Sequence, residues 1–110
     1  MEVIVRPRRG GKTTELIKRA AAEGGVILVA TMSQKEHVIA RAKEMKATIP
    51  EPVTFGELRC GACQGQTHPL LIDEAQDLLR QACGGVPIAA ITITDDEKTQ
   101  QMVERGLYNV

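Results

Sequence analysis

Aromatic side chains are almost missing from this 110-residue chain, which has one phenylalanine, Phe55, one tyrosine, Tyr108, and no tryptophan. Proteins that grip single-stranded nucleic acid usually stack bases on several rings. A stacking platform is therefore excluded, and any contact to DNA or RNA has to run through phosphates. Net charge is missing as well. Fourteen basic residues balance fourteen acidic ones, so no chain-wide field draws the protein to nucleic acid or to a membrane surface. The one dense basic cluster is Arg6, Arg8 and Arg9. No apolar run is long enough to span a bilayer, and Met1-Glu2-Val3 lacks the basic-then-apolar layout of a signal peptide. The cysteines, Cys60, Cys63 and Cys83, are odd in number, which fits reduced thiols better than a disulfide framework. These absences together predict a cytoplasmic protein without membrane association. The length suits a single domain over residues 1–110 with one modest core.

What is present alternates between helical and strand-like patterns, which predicts an α/β layered domain. Val3-Ile4-Val5 reads as a first strand. A helix is expected over about Thr13–Glu23, with Leu16, Ile17, Ala20 and Ala21 as its apolar stripe and Gly24-Gly25 as a left-handed stop. Val26 to Ala30 is a continuous apolar run rich in β-branched residues, suited to a parallel strand covered on both faces. Ser33, with Glu36 three residues on, has capping-box spacing for a helix reaching about Lys46. Val53-Thr54-Phe55 reads as a short strand, followed by loop or a brief helix to Thr67. Leu70-Leu71-Ile72 reads as a buried strand, Ala75 to Cys83 as a helix stopped by Gly84-Gly85, Ile88 to Ile93 as a last strand, and Asp95 to Arg105 as a polar helix. The expected architecture is a three-layer α/β/α sandwich around a mostly parallel sheet of about five strands. Ligands then belong at the carboxyl ends of the strands.

Two stretches carry chemistry. The first is Arg6-Pro7-Arg8-Arg9-Gly10-Gly11-Lys12-Thr13-Thr14, between the first strand and the first helix. Backbone N–H groups of such a turn, with the helix N-terminus behind them, form an anion cradle. In that frame Arg8, Arg9, Gly10, Gly11, Lys12, Thr13 and Thr14 bind nucleotide phosphates, Lys12 reaches the β- and γ-phosphates, and the Thr13 hydroxyl ligates Mg²⁺. The full phosphate-loop pattern wants glycine six places before Lys12, where Arg6 stands. The second stretch is Leu70-Leu71-Ile72-Asp73-Glu74-Ala75-Gln76-Asp77, an apolar strand ending in adjacent carboxylates. Asp73 can face Mg²⁺, partly through water, and Glu74 is the candidate general base for the attacking water or hydroxyl. The blander alternative has Asp73 and Glu74 capping the next helix. Found in one chain and in this order, the two stretches point to ATP and Mg²⁺.

At these residues the chain resembles the RecA-like P-loop NTPases, and three branches share its motifs. Superfamily 1 helicases carry Gly-Lys-Thr, a Thr-rich strand end, a Thr-Phe motif, an Asp-Glu motif with a following glutamine, and a final acidic motif. Here Gly11-Lys12-Thr13, Ala30-Thr31-Met32, Val53-Thr54-Phe55, Asp73-Glu74-Ala75-Gln76-Asp77 and Thr94-Asp95-Asp96-Glu97 stand in that order. The resemblance implies that Gln76 watches the γ-phosphate, as a third catalytic residue beside Lys12 and Glu74. Phage terminase ATPase domains look similar in their arginine-rich loop, matched by Arg8-Arg9-Gly10-Gly11-Lys12-Thr13, and that branch would place the protein in a host cytoplasm. Thymidine kinases share Gly11-Lys12-Thr13-Thr14-Glu15-Leu16-Ile17 and Asp73-Glu74-Ala75-Gln76, but they carry a zinc-bearing nucleoside lid for which this chain has no material. Helicase motors use two RecA-like domains and an arginine supplied across the cleft. The resemblance thus implies a minimal ATPase core that works as a homo-oligomer or with a partner protein near nucleic acid. Arg80 and Arg105 are candidates for the trans arginine, set against the commoner role of a solvated surface arginine.

Alternatives stay open at this point. One is a nucleoside or small-molecule kinase with its acceptor pocket in the loop from Gly56 to Pro69. Another is a nucleotide-binding interaction module without catalysis. Cys60-Gly61-Ala62-Cys63 has zinc-ligand spacing and His68 follows. The further cysteine a zinc knuckle needs, five places after His68, is Asp73, so reduced thiols in a loop are favoured over structural zinc. His37 is read as a solvated residue on a helix face.

Overall fold

The computed structural model describes residues 2–7, 11–94 and, for their backbone, 100–103. In chain order the elements are β1 (Glu2–Val5), α1 (Lys12–Glu23), β2 (Val26–Val29), α2 (Met32–Glu44), β3 (Val53–Thr54), α3 (Phe55–Arg59), β4 (Leu70–Ile72), α4 (Ala75–Ala82) and β5 (Gln100–Val103). They fall into two units, one built from residues 1–12 and 88–110 and the other from Thr13 to Pro87. Among the described residues, no helix is long and apolar enough to cross a membrane.

The larger unit is a small α/β fold with three parallel strands in the order β3-β2-β4. Leu28 and Val29 pair with Val53 and Thr54 on one side, and Val26, Ile27 and Leu28 pair with Leu70, Leu71 and Ile72 on the other. β2 is central, and all four of its residues are buried, as its unbroken apolar run requires. Ile27 and Val29 form one cluster with Leu16, Ile17 and Ala20 of α1 and with Val38 and Ala42 of α2. Met45, Ala47, Ile49 and Leu71 pack around it. Each fully buried Ile or Val contributes about 1.5–3 kcal/mol, so this cluster is the main stabilising feature of the unit. The helical spacing of Leu16, Ile17 and Ala20 gives α1 its buried stripe, while Ala21 is exposed. Gly24, at φ 80°, donates to the Ala20 carbonyl at 2.8 Å and ends α1 as expected.

Several expectations need correction. α2 is capped by Thr31, not Ser33. Thr31 is extended at φ −130°, its side chain accepts from Gln34 N, and the Gln34 side chain returns to the Thr31 backbone. Ser33 lies inside the helix, and the chain leaves β2 so directly that Thr31 already occupies the cap. A second capping box, between Thr54 and Glu57, starts α3. β4 is an edge strand rather than a buried one, with Leu70 and Ile72 exposed at 38% and 44%. Only Leu71 reaches the core cluster.

In the smaller unit β1 and β5 pair in parallel, from Glu2 opposite Gln100 to Val5 opposite Val103. Residues 88–94 have no regular structure, and Ile88, Ile91 and Ile93 are exposed. The expected strand over Ile88–Ile93 is therefore not formed, because β-propensity produces a strand only where a ladder partner exists. The expected helix over Asp95–Arg105 is contradicted at 100–103, where pairing with β1 overrides helical propensity. Its remaining positions lie outside the described residues. Parallel strands are present, but in ladders of three and two, not in a single sheet of about five.

Candidate functional site

Parallel strands deliver their last residues, and the first turns of the helices that follow, to one end of a sheet. In the larger unit this end gathers Thr31, Thr54, Asp73 and Glu74. Asp73 follows β4 directly and is anchored by its own N–H, which donates to the Leu28 carbonyl at 3.0 Å. The residue is 6% exposed. The Thr13 hydroxyl, on the first turn of α1, donates to Asp73 Oδ2 at 2.9 Å across 60 positions of sequence. A lone buried carboxylate is costly, and a hydroxyl donor offsets part of that cost.

The two residues proposed as Mg²⁺ ligands are thus in direct contact. Both present oxygen, the donor that Mg²⁺ prefers, and that ion keeps several waters where a protein supplies one or two ligands. The donor chemistry fits. Among the described residues there is no group of three or more His, Cys, Asp or Glu placed to hold a metal ion, so an all-protein cage is not what this site offers.

Glu74 is the N-cap residue of α4, yet it makes no side-chain capping bond. Its backbone is left-handed, at φ 56° and ψ 58°, a conformation that costs a residue with a Cβ about 1–2 kcal/mol. The capping alternative for Glu74 therefore has no support in the geometry. Gln76 Nε2 donates to Glu74 Oε2 in a short contact, so the two residues expected to act at the γ-phosphate stand side by side.

The other residues expected to bind nucleotide distribute as follows. Lys12 opens α1, and its Nζ donates to the Arg6 carbonyl at 3.4 Å, closing the loop end on the loop start. Gly11 sits at φ 79° with open space where a Cβ would be, so glycine is required here for its backbone and not for crowding. Thr14 Oγ1 accepts from Arg41 Nε at 3.3 Å. Arg8, Arg9, Gly10, the acidic motif after Thr94 and Arg105 lie outside the described residues. Arg80 is exposed and lies 3.5 Å from Asp77.

Sequence reasoning missed Gln34. Its Oε1 accepts from Ala30 N at 3.0 Å and Thr31 N at 3.2 Å, and its Nε2 donates to Asp77 Oδ2 at 2.9 Å. The available signal was the Thr31-x-x-Gln34 spacing; nothing local points from Gln34 to Asp77, 43 positions away. Arg41 beside Thr14 had no local signal at all.

The loop expected to supply a kinase acceptor pocket does line a cavity, of about 550 Å³, with Arg59, Cys63, Gln64, Gln66 and His68 around it. Leu70, at the amino end of β4, also lines it, whereas Asp73 follows the carboxyl end. Three strand positions, about 10 Å, lie between Leu70 and Asp73. Cys60, Cys63 and Cys83 are free thiols, and His37 is exposed.

No family model, curated protein or solved structure matches the chain. The reading of the site therefore stands on its residues and their geometry.

Proposed function

We infer that the protein is a Mg²⁺-dependent ATP-binding protein of the RecA-like kind, a minimal ATPase associated with nucleic-acid transactions. The observation that carries this is the 2.9 Å hydrogen bond from Thr13 to Asp73. It joins the residue after Lys12 to the first carboxylate of Asp73-Glu74, two stretches that were singled out separately for phosphate and for metal.

In this reading Lys12 neutralises phosphate charge, and the turn through Gly10 and Gly11 offers backbone N–H groups. Thr13 and Asp73 hold Mg²⁺, which supplies charge neutralisation on the phosphate oxygens when bound. Glu74 accepts the proton of the attacking water, and Gln76 senses the terminal phosphate. Arg8 and Arg9 add phosphate contacts or meet nucleic acid. Hydrolysis by one copy alone is slow, since a trans arginine contributes on the order of 10³–10⁵ in rate where one is used.

Titration of fluorescent ATP with and without Mg²⁺ tests the binding half. The wild type binds in the presence of Mg²⁺, and Lys12→Ala loses most of that affinity; equal isotherms for the two proteins overturn the site. Phosphate release tests the chemical half. Turnover by the wild type that is lost in Glu74→Gln supports hydrolysis, and binding without turnover reduces the protein to a nucleotide-binding module.

A further inference from the structure

Gln34 is fully committed to contacts that local helix capping does not need. The capping box requires only that its side chain reach the Thr31 N–H. Here the same oxygen also takes Ala30 N–H, and the amide nitrogen spans to Asp77 on another helix. Asp77 belongs to the turn that fixes Glu74, because Asp77 N donates to the Glu74 carbonyl at 2.9 Å and Leu78 N to the same oxygen at 3.4 Å. The chain of contacts runs from the end of β2, through Gln34, into the first turn of α4, and stops at a residue held in a strained conformation.

We propose that Gln34 is a positioning residue for Glu74. By gripping Asp77 it holds the first turn of α4 in place, keeps Glu74 left-handed and keeps the Glu74 carboxylate beside Gln76. Strain at a functional residue persists only where its surroundings over-determine it, and the Gln34–Asp77 bond is a long-range restraint on this turn. The catalytic meaning of the restraint rests on the ATPase reading; the restraint itself does not.

Gln34→Glu separates the two duties of the side chain. A glutamate at this position of a capping box still accepts from the Thr31 backbone, but it has no donor for Asp77 and repels it. In Gln34→Glu, kcat falls about 10- to 100-fold, while the KM for ATP stays close to wild type. Adding Asp77→Asn restores a hydrogen bond of reversed polarity, its amide donating to the introduced carboxylate, and recovers most of kcat. Backbone chemical shifts and the HN–Hα coupling of Glu74 provide the readout that a merely structural role would not move. They leave the left-handed range in Gln34→Glu and return in the double variant. Unchanged Glu74 signals with unchanged kcat overturn the proposal, as does loss in Gln34→Glu without recovery in the double variant. Absence of turnover in the wild type refutes the ATPase reading instead, and the Glu74 signals still decide whether Gln34 holds that turn.

Discussion

Each of the three parallel strands of the larger unit feeds a helix, and the three helix starts are not alike. After β2 and after β3 the chain enters its helix through a threonine in extended conformation, closed by a reciprocal capping box with Gln34 or Glu57. After β4 it enters through Glu74, left-handed and without a side-chain cap. The first two starts follow the local rules for stability. The third breaks them at the residue proposed as general base, and backbone strain of this kind clusters at functional sites. The difference separates residues that hold the fold from a residue held by it.

The sharpest way to break that contrast is to relax the third start. Glu74→Gly removes both the carboxylate and the Cβ that makes the left-handed backbone costly. Turnover is expected to fall by about 10²-fold or more, the loss typical of a missing general base. Stability is expected to rise by about 1 kcal/mol as the strain is relieved. Phosphate release and urea denaturation of the same protein check the two halves. A destabilised Glu74→Gly would show that Glu74 carries structure rather than chemistry.

The capped starts should respond in the opposite sense. Thr54→Ala removes a buried cap, and Thr31→Ala an exposed one. Each is expected to lower stability by about 1 kcal/mol, with the Thr54 variant at the higher end because its neighbourhood cannot readily rehydrate. Thermal or urea unfolding measures both. Thr54→Ala should leave phosphate release unchanged, since the Thr54 hydroxyl is engaged by Glu57 N and has no part in the proposed chemistry.

What was legible in the sequence follows the same division. The stripe of α1, the buried run of β2 and the stop at Gly24 are local patterns of period and backbone freedom, and they appear where expected. Thr13 and Asp73 meet across 60 positions of sequence, although the strands that their two stretches follow, β1 and β4, stand in separate ladders. The cap of α2 was expected at Ser33 from its spacing to Glu36; Thr31 and Gln34 have the same spacing, and only the end of β2 decides between the two pairs. Ile88–Ile93 and Gln100–Val103 were misread because strand formation depends on a ladder partner supplied from far along the chain. Lys35 is only 6% exposed, and no local pattern shows it, since its partners Glu51 and Glu57 lie on other segments.

That last contact gives the two capped starts different pH behaviour. Gln34 does not titrate, whereas Glu57 does. The Thr54 backbone N–H, and then the Lys35 ammonium at 3.0 Å, hold the Glu57 carboxyl below its usual value of 4.5. Lys35 in turn is raised above 10.5, chiefly by its hydrogen bond to Glu57. A carboxyl lowered in the folded state binds protons more readily when unfolded, so its stabilisation is complete above pH 4.5 and fades as pH falls through the lower folded value. The raised lysine contributes fully below pH 10.5 and loses its contribution as pH climbs through the higher folded value. Between those limits this pair is indifferent to pH. Glu57→Gln keeps the capping box, as Gln34 does for α2, but removes the charge. Its unfolding free energy should therefore be lower than wild type near neutral pH and converge on it as the medium is acidified below 4.5. Parallel acid limbs for the two proteins, measured by urea denaturation across that range, would show that the start of α3 is held by its cap alone.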